Sequence, residues 1–74
     1  MDKKGQHVVP RGGRWSILRA GATRASATYA TQAEAVAAAR TIARNQGTEL
    51  YIHGRDGRIR ERNSFGTDPS PPKG

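Results

Sequence analysis

Arginine has the most chemistry to offer in this sequence. Ten of its 74 residues are Arg, against two His, six carboxylates and no Cys. A guanidinium presents a planar fork of donors that matches phosphate oxygens two at a time and stacks on bases, so a clustered set of arginines favours a polyanionic partner. The densest such set is near the C-terminal end of the sequence. In Glu49-Leu50-Tyr51-Ile52-His53, a turn at Gly54-Arg55-Asp56-Gly57, and Arg58-Ile59-Arg60-Glu61-Arg62, strand alternation puts Leu50, Ile52 and Ile59 on one face, with Glu61 at the strand's end. Tyr51, His53, Arg58, Arg60 and Arg62 are on the other. A two-residue tip at Asp56-Gly57 and a four-residue loop from Gly54 to Gly57 give this same partition. A three-residue loop with a bulge would mix the two sets and is disfavoured. Arg11 and Arg14, flanking Gly12-Gly13, widen the basic surface, with Arg19 and Arg24 nearby in sequence. These cations beside an aromatic ring suit contact with DNA or RNA backbone. The competing reading is a solvated sheet face whose charges keep edge strands from pairing.

Catalytic chemistry is poorly supplied. Without Cys there is no thiolate nucleophile, disulfide framework or cysteine zinc site. His7 and His53 fall on strands expected to be distant, with no carboxylate cluster at ligand spacing, so no metal site is expected. Gly54-Arg55-Asp56-Gly57 lacks the strand-to-helix setting and the Lys-Ser/Thr of a phosphate-binding loop. No Ser has a His and Asp at hand. The expectation is a protein that is not an enzyme and needs no cofactor.

The elements that must position the arginines begin at His7, after a lead-in at residues 1–6 expected to be disordered. His7-Val8-Val9-Pro10-Arg11 and Arg14-Trp15-Ser16-Ile17-Leu18-Arg19 form a hairpin about Gly12-Gly13, because both central positions of a type I′ turn need positive φ. This register sets Arg11 opposite Arg14 and Val8 opposite Ile17. Trp15 then shares a face with Val8 and Ile17, which favours a place in the core over a place in a binding site. Ala25 to Tyr29 supplies a third strand. Thr31-Gln32-Ala33-Glu34 is a capping box, helix formers run from Gln32 to Gln46, and Gly47 is placed to end the helix in the left-handed conformation. Ala35, Val36, Ala39, Ile42 and Ala43 make one stripe. The expected fold is α+β: an antiparallel sheet in chain order β-β-β-α-β-β, one helix packed on one face against Val8, Trp15, Ile17, Tyr29, Leu50, Ile52 and Ile59. Residues 7–62 form the single domain and 63–74 an extended Pro-rich tail, with Phe65 free to dock on the domain.

The core is thin. Of 25 apolar residues 11 are Ala, and a chain this small gains little net stability from one core. Val9 and Leu18 fall on the face away from the helix, so a homodimer, or the tail with Phe65, is a candidate cover for it. A homodimeric protein-interaction or structural protein with no nucleic-acid role is therefore the alternative function. No stretch approaches the roughly 20 apolar residues of a membrane span, and the expected location is the cytoplasm.

The segments "HVVPRGGRWSILR", "ATYATQAEAVAAARTIARNQGTELYIHGRDGRIRERNSFG" and "DPSPPKG", in that order, resemble the small bacterial proteins grouped as domain of unknown function 2188. The resemblance runs from His7 to the C-terminus, and "HGRDGRI" and "SFGTDPSPPKG" are its most specific parts. It implies a single domain of strands and one helix, of bacterial or phage origin, and assigns no activity and no site residue.

Overall fold

The computed structural model describes residues 5–65. Strand β1 (Gln6–Arg11) and strand β2 (Arg14–Arg19) form the hairpin, with Arg11 paired to Arg14 and Val8 to Ile17. Gly12 and Gly13 hold φ of 56° and 78°, as a two-residue type I′ tip demands. Strand β3 (Ala27–Tyr29) adds antiparallel to β2, pairing Trp15 with Tyr29. Helix α1 (Gln32–Gln46) starts at the capping box: Glu34 N–H donates to Thr31 Oγ1 (3.2 Å) and Thr31 N–H donates to Glu34 Oε1 (3.3 Å). It ends at Gly47, φ 65°, in the left-handed conformation. Strands β4 (Glu49–His53) and β5 (Ile59–Ser64) complete a five-stranded sheet in the order β3-β2-β1-β4-β5.

The sheet is mixed, which corrects the antiparallel expectation. β4 lies beside β1 and parallel to it, with His7 opposite Tyr51 and Val8 opposite Ile52. The reason is the helix. β3 runs in the direction of β1, α1 carries the chain back along the sheet, and the strand after such a crossover resumes the original direction. Its free place is at the uncovered edge of β1.

Val8, Trp15, Ile17, Leu50 and Ile52 on the sheet and Ala35, Ala39 and Ala43 on α1 form the buried core, with Tyr29, Val36, Ile42 and Phe65 partly buried around it. Phe65, expected as a tail or dimer contact, packs against this domain's own core. Its N–H donates to Thr48 O (3.1 Å), and the Arg44 guanidinium stands 5.7 Å from its ring centroid. Gln6, assigned to the lead-in, is buried in β1, and β5 continues to Ser64. The rest of the Pro-rich tail lies outside the described residues. Among those described, no helix is long and apolar enough to cross a membrane. α1 packs on β1 to β4 and leaves β5 uncovered, which opens space beside its first turn.

Candidate nucleic-acid interface

The β4–β5 connection departs from both even-length loops. Gly57 N–H donates to Gly54 O (2.9 Å), Arg58 N–H to Asp56 Oδ1 (3.0 Å), and Gly54 N–H to Arg58 O (2.8 Å). These bonds hold five residues, 54–58, so His53 pairs with Ile59. Ile52 nonetheless pairs with Glu61, and the register shift leaves Arg60 as the extra residue of a β-bulge. Side chains between the loop and the bulge therefore change faces. Ile59, expected in the core, stands beside His53 on the face away from α1 and is 54% exposed. Arg60 leaves the set with Arg58 and Arg62 and lines a cleft with Trp15 and Gln32 on the helix side. Beyond the bulge the expected parity returns, with Glu61 opposite Ile52 and Arg62 opposite Tyr51.

The open sheet face thus carries Tyr51, His53 and Arg62 of the expected set, but not Arg60. His7 joins them, which corrects the expectation that the two histidines lie far apart: the β1–β4 pairing sets His7 Nδ1 2.9 Å from His53 Nε2. A carbonyl can only accept, so His53 Nδ1 donates to Gly57 O (2.8 Å). In that tautomer His53 Nε2 is the acceptor and His7 Nδ1 the donor. Burial, and second the repulsion from His53, hold the His7 pKa below its ordinary value. The His7 and Tyr51 rings stack at 4.6 Å and 19°, so one face of each is already covered against a base. The Tyr51 hydroxyl donates to Glu49 Oε1 (2.8 Å), which raises its pKa, and Arg62 Nε is 3.9 Å from the same oxygen. Val9 and Leu18 are half-buried on this face. No group of three or more His, Cys, Asp or Glu among the described residues could hold a metal ion.

The arginines gather instead at one end of the sheet. β1, β3 and β4 run in the same direction, so the β1–β2 tip, the start of α1 and the β4–β5 loop all lie at their C-terminal end. Arg11, Arg14, Arg55, Arg58 and Arg60 all belong to this end. Arg19, opposite Gln6, and Arg24, beyond β2, lie at the other. Between the converging elements is a cleft of about 400 Å³ lined by Gly13, Trp15, Ala30, Thr31, Gln32, Arg55 and Arg60. A second depression of about 240 Å³, lined by Pro10, Gly13, Arg14, Trp15 and Arg55, shares three of those residues. No carboxylate lines either. Asp56 Oδ2 lies 3.9 Å from Arg58, and Glu49 near Arg62; among the described residues no carboxylate lies within 4.0 Å of Arg11, Arg14, Arg55 or Arg60. Alternation assigns no face to a loop, so the sequence marks Arg55 only as a turn residue. The adjacency of the two hairpins would have identified it, and no local pattern reveals that adjacency.

The sequence pattern of one protein family, described as an uncharacterized protein conserved in bacteria (DUF2188), matches residues 6–65. The chain is also similar to the uncharacterized protein YdaT of Bacillus subtilis (strain 168), 33% identical over 64 residues. The aligned segment covers 86% of this chain and 43% of YdaT, so the chain spans less than half the length of that relative. No solved structure matches. With the family pattern extending from the first residue of β1 to Phe65, just past β5, the chain belongs to the bacterial family called domain of unknown function 2188.

Proposed function

We propose that this domain is a non-catalytic binding module that holds the backbone of DNA or RNA at its arginine-bearing end. The observation that carries this reading is the set of four arginines, Arg11, Arg14, Arg55 and Arg60, gathered at one end of the sheet with no carboxylate within 4.0 Å among the described residues. A guanidinium already paired to a carboxylate must give up that partner to take a phosphate. Arg14, Arg55 and Arg60, which border the concave surface, have no carboxylate within 4.0 Å among the described residues to give up. Arg58 adds a fifth cation beside Asp56. The open sheet face is the weaker candidate, because its aromatic rings stack on each other and its Arg62 stands near Glu49.

Binding measured by anisotropy of labelled 20-nucleotide DNA and RNA tests the reading. Five phosphate contacts give a slope of log affinity on log salt near −3.5 for single strands, or about a 100-fold loss between 50 and 200 mM salt. Replacing Arg14, Arg55 and Arg60 with Gln should bring the slope to about −1.4, at about −0.7 per phosphate, and Arg62→Gln should leave it unchanged. Absence of binding at 50 mM salt, or a slope that follows Arg62 rather than the cleft arginines, refutes the proposal.

A second reading, a homodimer joined through the open sheet face, is favoured by the bulge. It adds exposed Ile59 to the half-buried Val9 and Leu18 on that face.

A further inference from the structure

We infer that the cleft between the two hairpin tips receives the end of a single nucleic-acid strand, as a nucleotide carrying a terminal phosphomonoester. This rests on the nucleic-acid reading above and narrows it. At about 400 Å³ the cleft falls within the range of small-ligand sites, roughly 300 to 1,000 Å³. A cleft of this size can take in a nucleotide but cannot seat a double helix. A concavity of this size is matched by the nucleotide at the end of a single strand.

The lining selects the same group. Arg55 and Arg60 border this cleft, and Arg14 borders the depression that shares Gly13, Trp15 and Arg55 with it. A phosphomonoester carries about −1.5 to −2 charge at pH 7 and three free oxygens, against one charge and two free oxygens for an internal phosphodiester. Guanidiniums that border one space are therefore satisfied better by the end of a strand than by its interior. The first turn of α1, at Thr31 and Gln32, borders the same space, with its dipole already met by the Glu34 carboxylate of the capping box. The Gln32 side chain is fixed by donating from Nε2 to His53 O (3.0 Å), and the indole of Trp15 completes the lining.

Arg60 is also held in place. A Cβ added at buried Gly54 would stand 2.5 Å from Arg60 Cδ and 3.0 Å from its Cγ, so the arginine stem lies directly on the glycine backbone. Gly54 is thus a positioning residue. Gly54→Ala leaves the charge of the protein unchanged and forces the Arg60 stem off its seat.

Trp15, the only tryptophan, lines both depressions and reports on them by its fluorescence. The titrants are single-stranded DNA octamers with a 5′-phosphate, a 3′-phosphate or hydroxyls at both ends, a free 5′-mononucleotide and inorganic phosphate. At least one phosphorylated octamer should bind tenfold or more tighter than the hydroxyl octamer and change Trp15 emission. Arg60→Gln and Gly54→Ala should each lower its affinity to the hydroxyl level, while Arg62→Gln should not. Thermal unfolding confirms that the variants are folded, and Arg60→Gln, at an exposed position, carries the test if Gly54→Ala is not. Equal affinity for phosphorylated and hydroxyl octamers overturns the cleft assignment and leaves backbone binding standing. Failure of every octamer to bind overturns both. A mononucleotide that binds as tightly as the phosphorylated octamer identifies the free nucleotide as the source of the same phosphomonoester. Inorganic phosphate that does so overturns the nucleotide assignment.

Discussion

Removing one methyl group from α1 tests how the helix is seated and, through it, where its first turn meets the cleft. Ala35, Ala39 and Ala43 are fully buried and recur every fourth residue, while Ala37 on the same helix is exposed. Ala→Gly at either site costs about 1 kcal/mol of helix propensity. At Ala39 it also removes a buried methyl, worth about 0.8 kcal/mol. If the sheet and helix do not close over the space, a void of roughly 25 Å³ at about 24 cal/mol per Å³ adds about 0.6 kcal/mol. The expected losses are then about 1 kcal/mol for Ala37→Gly and about 2 to 2.5 kcal/mol for Ala39→Gly. Ala39→Leu should also destabilise, by about 1 to 3 kcal/mol, because a helix resting on alanines leaves no room for a longer side chain. Urea denaturation followed by far-ultraviolet circular dichroism measures all three, provided the denaturant slopes agree. Equal losses for the two glycine variants, or a stabilising Ala39→Leu, would refute close seating through small residues.

Two further predictions concern the open face. Because the folded His7 pKa lies below its ordinary 6.5, the unfolded chain binds more protons between the two values. Stability should therefore rise with pH through the window just below 6.5 and level off above it; urea midpoints across that window check this, and His7→Gln should flatten the profile. The dimer reading predicts a sedimentation coefficient that rises with protein concentration and a monomer for Leu18→Asp; a parent protein that is monomeric at every concentration refutes it.

Where local sequence determines local structure, the structure follows the sequence closely. The Gly12-Gly13 tip admits one register, and its pairs Arg11 with Arg14 and Val8 with Ile17 are those of the sequence reading. Thr31 and Glu34 place the start of α1 and Gly47 its end, because each satisfies backbone groups that nothing else could. Trp15 packs in the core with Val8 and Ile17 by simple alternation. The β4–β5 loop is different, since Gly54-Arg55-Asp56-Gly57 is compatible with several lengths of turn. Its length is decided by the Asp56 carboxylate accepting from Arg58 N–H and by the bond from Gly54 N–H to Arg58 O. These small differences among turns move Ile59 out of the core and Arg60 toward it, a whole face apart.

The strand direction of β4 had larger consequences than the bulge. Had β4 run antiparallel to β1, the β4–β5 loop would lie at the end of the sheet away from the Gly12-Gly13 tip, and the arginines of the two hairpins would be separated by the length of a strand. Parallel pairing brings both sets to the end where α1 begins. The same pairing puts His7 beside His53, so one topological fact accounts for both the arginine-bearing cleft and the histidine pair. No period in the sequence encodes it, because alternation specifies which face a side chain takes and is silent on which end of the sheet a loop occupies. What fixes the direction is the connection: a strand, a 15-residue helix and a strand within one sheet return the chain to its original heading. For a small basic domain of this kind, the location of the charge therefore follows from the crossover, and the bulge decides only which arginines turn into the cleft.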